Sequence, residues 1–177
     1  MRIDLIESHL QRANKVQTSF DKFDALWSAF NVMYEEKRND LIAIRNQRNL
    51  SERITIRYCA GLLPYKSWID LFPSAEMSNL FRIASIFNVR DLLRRGQMNT
   101  HEFDELLRLN LVENSGNPQI DIQKLNALVD LLYIVRCNKA HGFKTIDQSR
   151  DIEVLDLTTP LLEALVTRLF EYFQAEE

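Results

Sequence analysis

Bulky apolar side chains recur every three or four residues from Val16 to Ile44, and this pattern constrains the fold more than any other. The spacing places them on one stripe of a long α-helix. The members are Val16, Phe20, Phe23, Trp27, Phe30, Tyr34, Leu41 and Ile44. The stripe is aromatic rather than rich in Leu and Ile, and Lys37 interrupts it, so it predicts the core of a helical bundle rather than a coiled coil.

Breakers and capping residues divide the next part of the chain. We expect a short helix over residues 52–62 and then a loop that carries Trp68, because Gly61, Pro64 and Pro73 interrupt the pattern. Two more helices are predicted, one from Ser74 to about Gly96 and a short one over residues 99–111. A turn over residues 114–118 ends this part.

Helical spacing returns after that turn. Apolar residues from Leu125 to Val135 predict a helix up to Asn138, with Gly142 at its C-cap. Thr159 and Pro160 are expected as the N-cap and first residue of a final helix. The sequence therefore predicts an all-α bundle of five or six helices in a single domain over residues 1–177, with its core at about 16–173.

Composition removes several classes of function. With four Gly and four Pro, the chain lacks Gly-rich phosphate-binding loops, and neither a Walker loop nor G-x-S-x-G occurs. The three His lie in separate segments and the two Cys are far apart, so we expect no metal site and no cofactor. No apolar run is long enough to span a bilayer, and we expect a cytoplasmic protein that does not enter the membrane.

Charge is distributed unevenly although the net charge is only −3. Residues 1–99 hold 15 basic and 11 acidic residues, whereas residues 100–177 hold 7 basic and 14 acidic residues. Basic residues concentrate over 37–57, where Lys37, Arg38, Arg45 and Arg48 are candidate RNA-phosphate contacts. An ordinary solvated helix face explains the same charges equally well, and both interpretations stay open.

One segment carries residue types that are suited to catalysis, namely the stretch from Arg136 to His141 at the end of the predicted helix. An imidazole can remove the proton of a 2′-hydroxyl while a guanidinium binds the phosphate as negative charge builds. Spacing alone is weak evidence, because an Arg precedes every His here at a similar distance. Context favours this pair, since the Arg2–His9 pair begins at a frayed chain end and the pairs before His101 straddle Gly96.

In that context the chain resembles the HEPN domain family of small all-α proteins, whose motif is Arg, a nearby polar residue, and then His. A second segment, Leu26-Trp-Ser-Ala-Phe-Asn-Val-Met-Tyr34, is similar to the Trp-x-x-Phe-Asn-x-x-Tyr helix of HEPN proteins related to the ApeA-like group. A loop over residues 147–151 followed by a last amphipathic helix also fits the family. The resemblance covers about residues 16–173.

The resemblance implies a homodimer with two Arg/His motifs across a shared cleft and metal-independent endoribonuclease activity in toxin–antitoxin or phage-defence systems. Carried over, His141 is the general base, Arg136 the phosphate clamp and Asn138 an orienting amide. Asn31 and Tyr34 support the site. For Trp27, Phe30 and Tyr34 the pattern alone indicates core packing, and Asn31 is expected to be half-buried with a specific partner.

Two positions depart from the family pattern. Cys137 stands directly after Arg136, where a polar residue is common. Phe143 replaces the Tyr that nucleotidyltransferase-type antitoxins modify in related toxins, which argues against that kind of partner more than against another antitoxin. These departures leave a second hypothesis open, a catalytically silent helical module that binds RNA or protein.

Overall fold

A computed structural model describes residues 1–69, 116–140 and 149–176, and within them the backbone forms six α-helices and no strand. They are α1 (Ile3–Lys15), α2 (Ser19–Arg45), α3 (Glu52–Ala60), α4 (Tyr65–Trp68), α5 (Pro118–Ala140) and α6 (Ser149–Glu176). The predicted all-α class is confirmed. The helices expected over 74–96 and 99–111 and the Gly142 cap lie outside the described residues.

Polar side chains fix where α2 and α3 begin. The hydroxyl of Thr18 accepts a hydrogen bond from the backbone N–H of Asp21 at 3.1 Å, and Ser51 caps α3 through the N–H of Ile54 at 3.4 Å. Each cap satisfies an N–H group that the first helical turn leaves without an acceptor. Asn46 follows α2 with φ of 50°, a left-handed conformation that Asn tolerates and that stops the helix.

Helix α2 is the central element of the described bundle and contacts α1, α3 and α6, while α3 packs on α5. The predicted aromatic stripe is confirmed as core for Trp27, Phe30 and Tyr34, which are buried and pack edge to face. Ile44, the last member of the stripe, is instead 69% exposed. The stripe therefore leaves the core before the end of α2.

Residues before the expected core also form structure. Helix α1 buries Ile6 and Ala13 against α2, so the apolar core extends toward the N-terminus beyond residue 16. The chain end expected to fray is held, because the backbone N–H and Nε of Arg2 donate to Oε1 of Glu36 at 3.0 and 3.1 Å. The predicted core began at residue 16 and so left out α1, although the buried residues of this helix lie on one side of it.

The predicted start of the last helix at Thr159 and Pro160 is wrong. Helix α6 begins at Ser149 and passes through Pro160, so residues 149–151 of the expected loop are helical. Core residues stand on both sides of the proline, Val154 and Leu155 before it and Leu161 and Leu162 after it. Burial of these side chains outweighs the backbone hydrogen bond that proline cannot donate.

The two threonines before the proline donate hydrogen bonds to backbone carbonyls and do not cap a helix start. Thr158 donates to the carbonyl of Val154 at 2.7 Å, and Thr159 donates to the carbonyl of Ser19 at 3.3 Å. The hydroxyl of Ser19 in turn hydrogen-bonds the carboxylate of Asp156. These contacts attach the middle of α6 to the first turn of α2.

Trp68 was expected in a loop, but it lies in α4 and is buried. Its ring packs edge to face on Tyr65 at 5.2 Å between centroids. A single-turn helix after Pro64 has too little sequence for a periodic signal. None of the described helices combines the length and apolar character needed to cross a bilayer.

Candidate functional site around Arg136

The C-terminal part of α5 carries Arg136 and is fastened to α2. Lys139 forms an ion pair with Asp24, and its ammonium lies 3.4 Å from the centroid of the Phe20 ring. One turn and a half earlier, the Tyr133 ring lies 6.3 Å from that of Trp27. Contacts on both sides of Arg136 therefore fix the helix that leads into His141.

Arg136 belongs to a polar cluster drawn from three helices. Its Nη1 lies 3.8 Å from Oε2 of Glu52, in the first turn of α3, and 3.9 Å from the sulfur of Cys137. The hydroxyl of Tyr34, on α2, donates to Oε1 of Glu52 at 2.5 Å. Glu52 thus connects Tyr34 with Arg136, and we name Tyr34, Glu52, Tyr133, Arg136 and Cys137 the Arg136 cluster.

The protonation states in this cluster follow from burial and charge. Burial, and then the hydrogen bond to Glu52, raise the pKa of Tyr34 well above its ordinary value. Burial, followed by contact with Cys137, likewise raises the pKa of Tyr133. Both phenols are therefore proton donors near neutral pH and cannot serve as general bases.

The guanidinium of Arg136 stays cationic. Burial tends to lower its pKa, but contact with Cys137 and the charge of Glu52 outweigh burial and leave the pKa raised. The side chain remains 37% exposed although it pairs with Glu52. Since an Arg offers five N–H donors, Arg136 retains the capacity to bind an incoming anion.

Asn138 and His141 are the other two members of the predicted catalytic set. Asn138 is half-buried on α5, and within the described residues its amide has no hydrogen-bond partner. His141 lies outside the described residues, next in sequence to Ala140 at the last described position of α5. The structure therefore shows the surroundings of Arg136 and the chain leading to His141, without the imidazole itself.

Of the two supporting residues, only Tyr34 joins the cluster. Asn31 is exposed and has no hydrogen-bond partner among the described residues, so the expectation of a half-buried, partnered amide is wrong for the single chain. Tyr34 lies three positions further along α2, on its buried side. An exposed Asn31 is what an unrelated helical scaffold would also show.

The four candidate RNA contacts differ in how far they are engaged within the chain. Lys37 pairs with Asp40 at 3.6 Å and lies 5.0 Å from the centroid of the Phe173 ring. Arg38 pairs with Glu35 at 3.3 Å and donates to the carbonyl of Leu50 at 3.2 Å. These two residues are engaged within the chain, which weakens the idea of a continuous phosphate track.

Arg45 and Arg48 are different, because both are exposed and neither forms an ion pair with another described residue. Arg45 ends α2, and Arg48 follows in the segment before α3. The distance between Lys37 and Arg45 along α2 is about 12 Å, which separates the engaged cations from the exposed ones. Among the four candidates, Arg45 and Arg48 are therefore the ones open to a polyanion in the described part of the chain.

Sequence reasoning missed the role of Glu52 and that of Asp130. Arg53 pairs with Asp130 at 2.9 Å, and Arg57 donates to both of its oxygens, through Nε at 2.8 Å and through Nη2. The hydrogen bond to Asp130 is the main cause of the raised pKa of Arg57. Both carboxylates join α3 to α5 across the fold, and no local spacing could have revealed them.

Tyr133 had a weak local signal, because it lies three residues before Arg136 and so shares its side of the helix. In the described part of the chain, no group of three or more His, Cys, Asp or Glu side chains could hold a metal ion. No protein-family model, curated protein or solved structure matches the chain.

Proposed function

We propose that this chain is a metal-independent endoribonuclease of the HEPN type, with Arg136 and His141 acting on an RNA phosphodiester. One observation carries the proposal: a cationic Arg136 that is 37% exposed and held by Glu52 lies on the helix that leads directly into His141. The hydrogen bond from Tyr34 positions Glu52 in turn. A guanidinium restrained in this way suits a phosphate clamp.

The chemistry assigns one task to each side chain. The imidazole of His141 removes the proton of a 2′-hydroxyl, and the 2′-oxygen attacks the adjacent phosphorus. The bond from phosphorus to the 5′-oxygen breaks, and the protonated imidazole returns its proton to that leaving oxygen. Arg136 stabilises the charge that develops on the phosphoryl oxygens, and Asn138 orients the phosphate or the imidazole.

A homodimer is part of the proposal. Five residues of helix correspond to about 140° of rotation, so Arg136 and His141 of one regular helix would point to different sides. A second chain that supplies one of the two groups would remove this difficulty and could cover the exposed Asn31. Light scattering on purified protein tests the dimer, and Asn31→Arg is expected to weaken it.

The biological setting we propose is the cytoplasm, where the enzyme acts as a toxin or in phage defence under the control of an antitoxin protein. Phe143 carries no hydroxyl, so this control does not rely on modification of that side chain. Induced expression in a bacterial host should arrest growth and degrade RNA. Arg136→Ala and His141→Ala should abolish both effects.

The decisive experiment is cleavage of a labelled single-stranded RNA by purified protein in the presence of EDTA. Arg136→Ala and His141→Ala should each lower the rate by at least about 100-fold. Arg136→Lys should recover only part of it, because an ammonium cannot bind phosphate in a bidentate manner.

Arg12→Ala and His9→Ala provide matched controls on α1 and should leave cleavage unchanged. Arg12 is exposed and His9 half-buried, and both lie away from the Arg136 cluster. Thermal unfolding of every variant separates loss of activity from loss of fold. Cleavage that survives both His141→Ala and Arg136→Ala would refute the assignment.

Two observations favour the second candidate, a catalytically silent module that binds RNA or protein. Glu52 already pairs with Arg136, and Cys137 occupies the position of a common polar residue. For such a module, wild type, Arg136→Ala and His141→Ala would all be soluble and harmless, and RNA would remain intact.

A further inference from the structure

A groove separate from the Arg136 cluster lies where the end of α2, the helix α3 and the first half of α5 meet. Its cavity volume is about 490 Å³, within the size range of small-ligand sites. The lining residues are Arg45, Ile54, Arg57, Tyr58, Gly61, Leu62, Ile122 and Asn126. This set combines apolar walls with a few polar groups that face one space.

Three of these polar side chains have no polar partner in the part of the chain that the structure describes. Arg45, Tyr58 and Asn126 form no hydrogen bond or ion pair with any other described residue. Arg45 is exposed, while Tyr58 and Asn126 are half-buried. A cation, a phenol and an amide therefore meet at one groove with their bonding capacity free for a ligand.

Arg57 contributes a fourth group with a fixed orientation. Two of its five donors bond the oxygens of Asp130, which holds the guanidinium plane, and the others remain available. Asp130 also pairs with Arg53, so this trio keeps a net positive charge. No acidic residue is present among the described residues that line the groove. With Arg45 added, the local charge favours an anion.

Tyr58 supplies an aromatic face. Rings of the described core, such as those of Trp27, Phe30 and Tyr34, pack edge to face on one another, whereas Tyr58 has no ring partner among the described residues. A half-buried ring beside two guanidinium groups is the arrangement that binds an unstacked base next to its phosphate.

We propose that this groove binds one nucleotide of a single-stranded RNA, with the base on the Tyr58 ring, the phosphate between Arg45 and Arg57, and the base edge at Asn126. This inference rests on the proposed function, for which the groove is a second subsite on the substrate strand. Asn126 and Arg136 lie about 15 Å apart along α5. A few nucleotides span that distance, so the groove would fix which phosphodiester reaches Arg136.

The test measures binding without cleavage. A fluorescently labelled single-stranded DNA oligonucleotide lacks the 2′-hydroxyl that the reaction needs, and its anisotropy reports affinity for the full chain. Tyr58→Ala should raise Kd by about 5- to 100-fold, and Tyr58→Phe should stay within about twofold because the ring face is retained. Arg45→Ala should raise Kd and reduce the slope of log K against log salt by about 0.7.

Two controls test whether the binding is specific to this groove and to a nucleic-acid strand. Arg12→Ala, an exposed cation on α1, should leave Kd and the salt slope nearly unchanged. Adenosine monophosphate should displace the oligonucleotide only at much higher concentration if the strand is the true ligand. Tight binding of the mononucleotide alone would reassign the groove to a free nucleotide and overturn the RNA subsite.

Failure of this inference is distinguishable from failure of the proposed function. Cleavage that depends on Arg136 and His141, together with binding that ignores Tyr58 and Arg45, refutes the groove alone. Binding that depends on Tyr58 and Arg45, without cleavage, supports the groove and refutes the nuclease. Displacement by an acidic peptide but not by nucleic acid would assign the groove to a protein partner and overturn the inference.

Discussion

The hydroxyl of Tyr34 donates to Oε1 of Glu52 at 2.5 Å. The other oxygen of the same carboxylate faces Arg136 at 3.8 Å. Tyr34 is buried, whereas Arg136 is partly open to solvent. Glu52 therefore connects the core of the bundle to the cation that we assign to phosphate binding.

Tyr34→Phe should remove this restraint while keeping the ring packing. We expect the free energy of unfolding to fall by about 1–2 kcal/mol, because a charged acceptor loses a partly buried donor. Denaturant unfolding measures the change. Tyr172→Phe removes an exposed hydrogen bond to Glu176 of similar length and should change stability by less than about 0.5 kcal/mol. Equal effects of the two substitutions would contradict a special role of Tyr34.

Asp130→Asn should destabilise the contact between α3 and α5. The carboxylate is 10% exposed and neutralises the two guanidinium groups of Arg53 and Arg57. An amide leaves these cations crowded, and we expect a loss of about 2 kcal/mol in denaturant unfolding. Asp40→Asn breaks a surface pair with Lys37 and should cost less than about 1 kcal/mol. If Asp130→Asn left the free energy of unfolding unchanged, the ion pairs of Asp130 would not be what holds α3 against α5.

Ile6→Ala tests whether α1 belongs to the folded core. Ile6 is fully buried, and its truncation should lower the free energy of unfolding by about 3 kcal/mol. Ile44→Ala is the same change at a position 69% exposed and should stay within about 0.5 kcal/mol. If Ile6→Ala were as mild as Ile44→Ala, α1 would not be packed on α2 in solution.

Alkaline pH should destabilise the fold through three buried groups. Burial raises the pKa of the Cys59 thiol as well as that of Tyr34 and Tyr133, so each group holds its proton in the native state after the unfolded chain has lost it. The unfolded state then binds fewer protons, and stability is complete below the ordinary pKa values and falls above about pH 9. Urea midpoints measured across this range should decline.

Cys59→Ala and Tyr34→Phe should each flatten this decline, whatever their effect at neutral pH. Tyr172 is half-buried at the end of α6, and the pKa of its phenol is raised mainly by an exposed hydrogen bond to Glu176 rather than by burial, so Tyr172→Phe should flatten the decline less. The comparison uses the slope of stability against pH, which cavity formation at Cys59 does not alter. A slope unchanged by both buried substitutions would refute the linkage.

Local patterns predicted those parts of the fold whose signals are local. The aromatic stripe of α2, the short helix after residue 51 and the apolar run of α5 each depend on signals within one helix, and the structure confirms them. The prediction of a helix start at Pro160 is wrong because it also depended on a local signal. A Thr-Pro pair is a good local start signal, and only packing on α2 shows why the helix continues through it.

The candidate site was predictable only in part. Arg136 was identified from its position before His141, but its partners Glu52 and Tyr34 are distant in sequence. Asn31 illustrates the opposite error, since its place beside the aromatic stripe predicted a half-buried amide with a specific partner, whereas it is exposed in the single chain. The Tyr58 groove was not foreseen because Asn126 comes from α5, more than sixty residues away.

Continuity of α6 through Pro160 also determines where the chain tolerates added residues. One extra residue between Val154 and Leu161 would rotate everything downstream by about 100° and turn the second apolar group away from α2. If the helix began at Thr159, as the sequence predicts, the loop before it would accommodate the extra residue without rotating the core side chains. The packing of α6 therefore does not tolerate an inserted residue in the middle of the helix, and insertions or tags should be placed elsewhere in the chain.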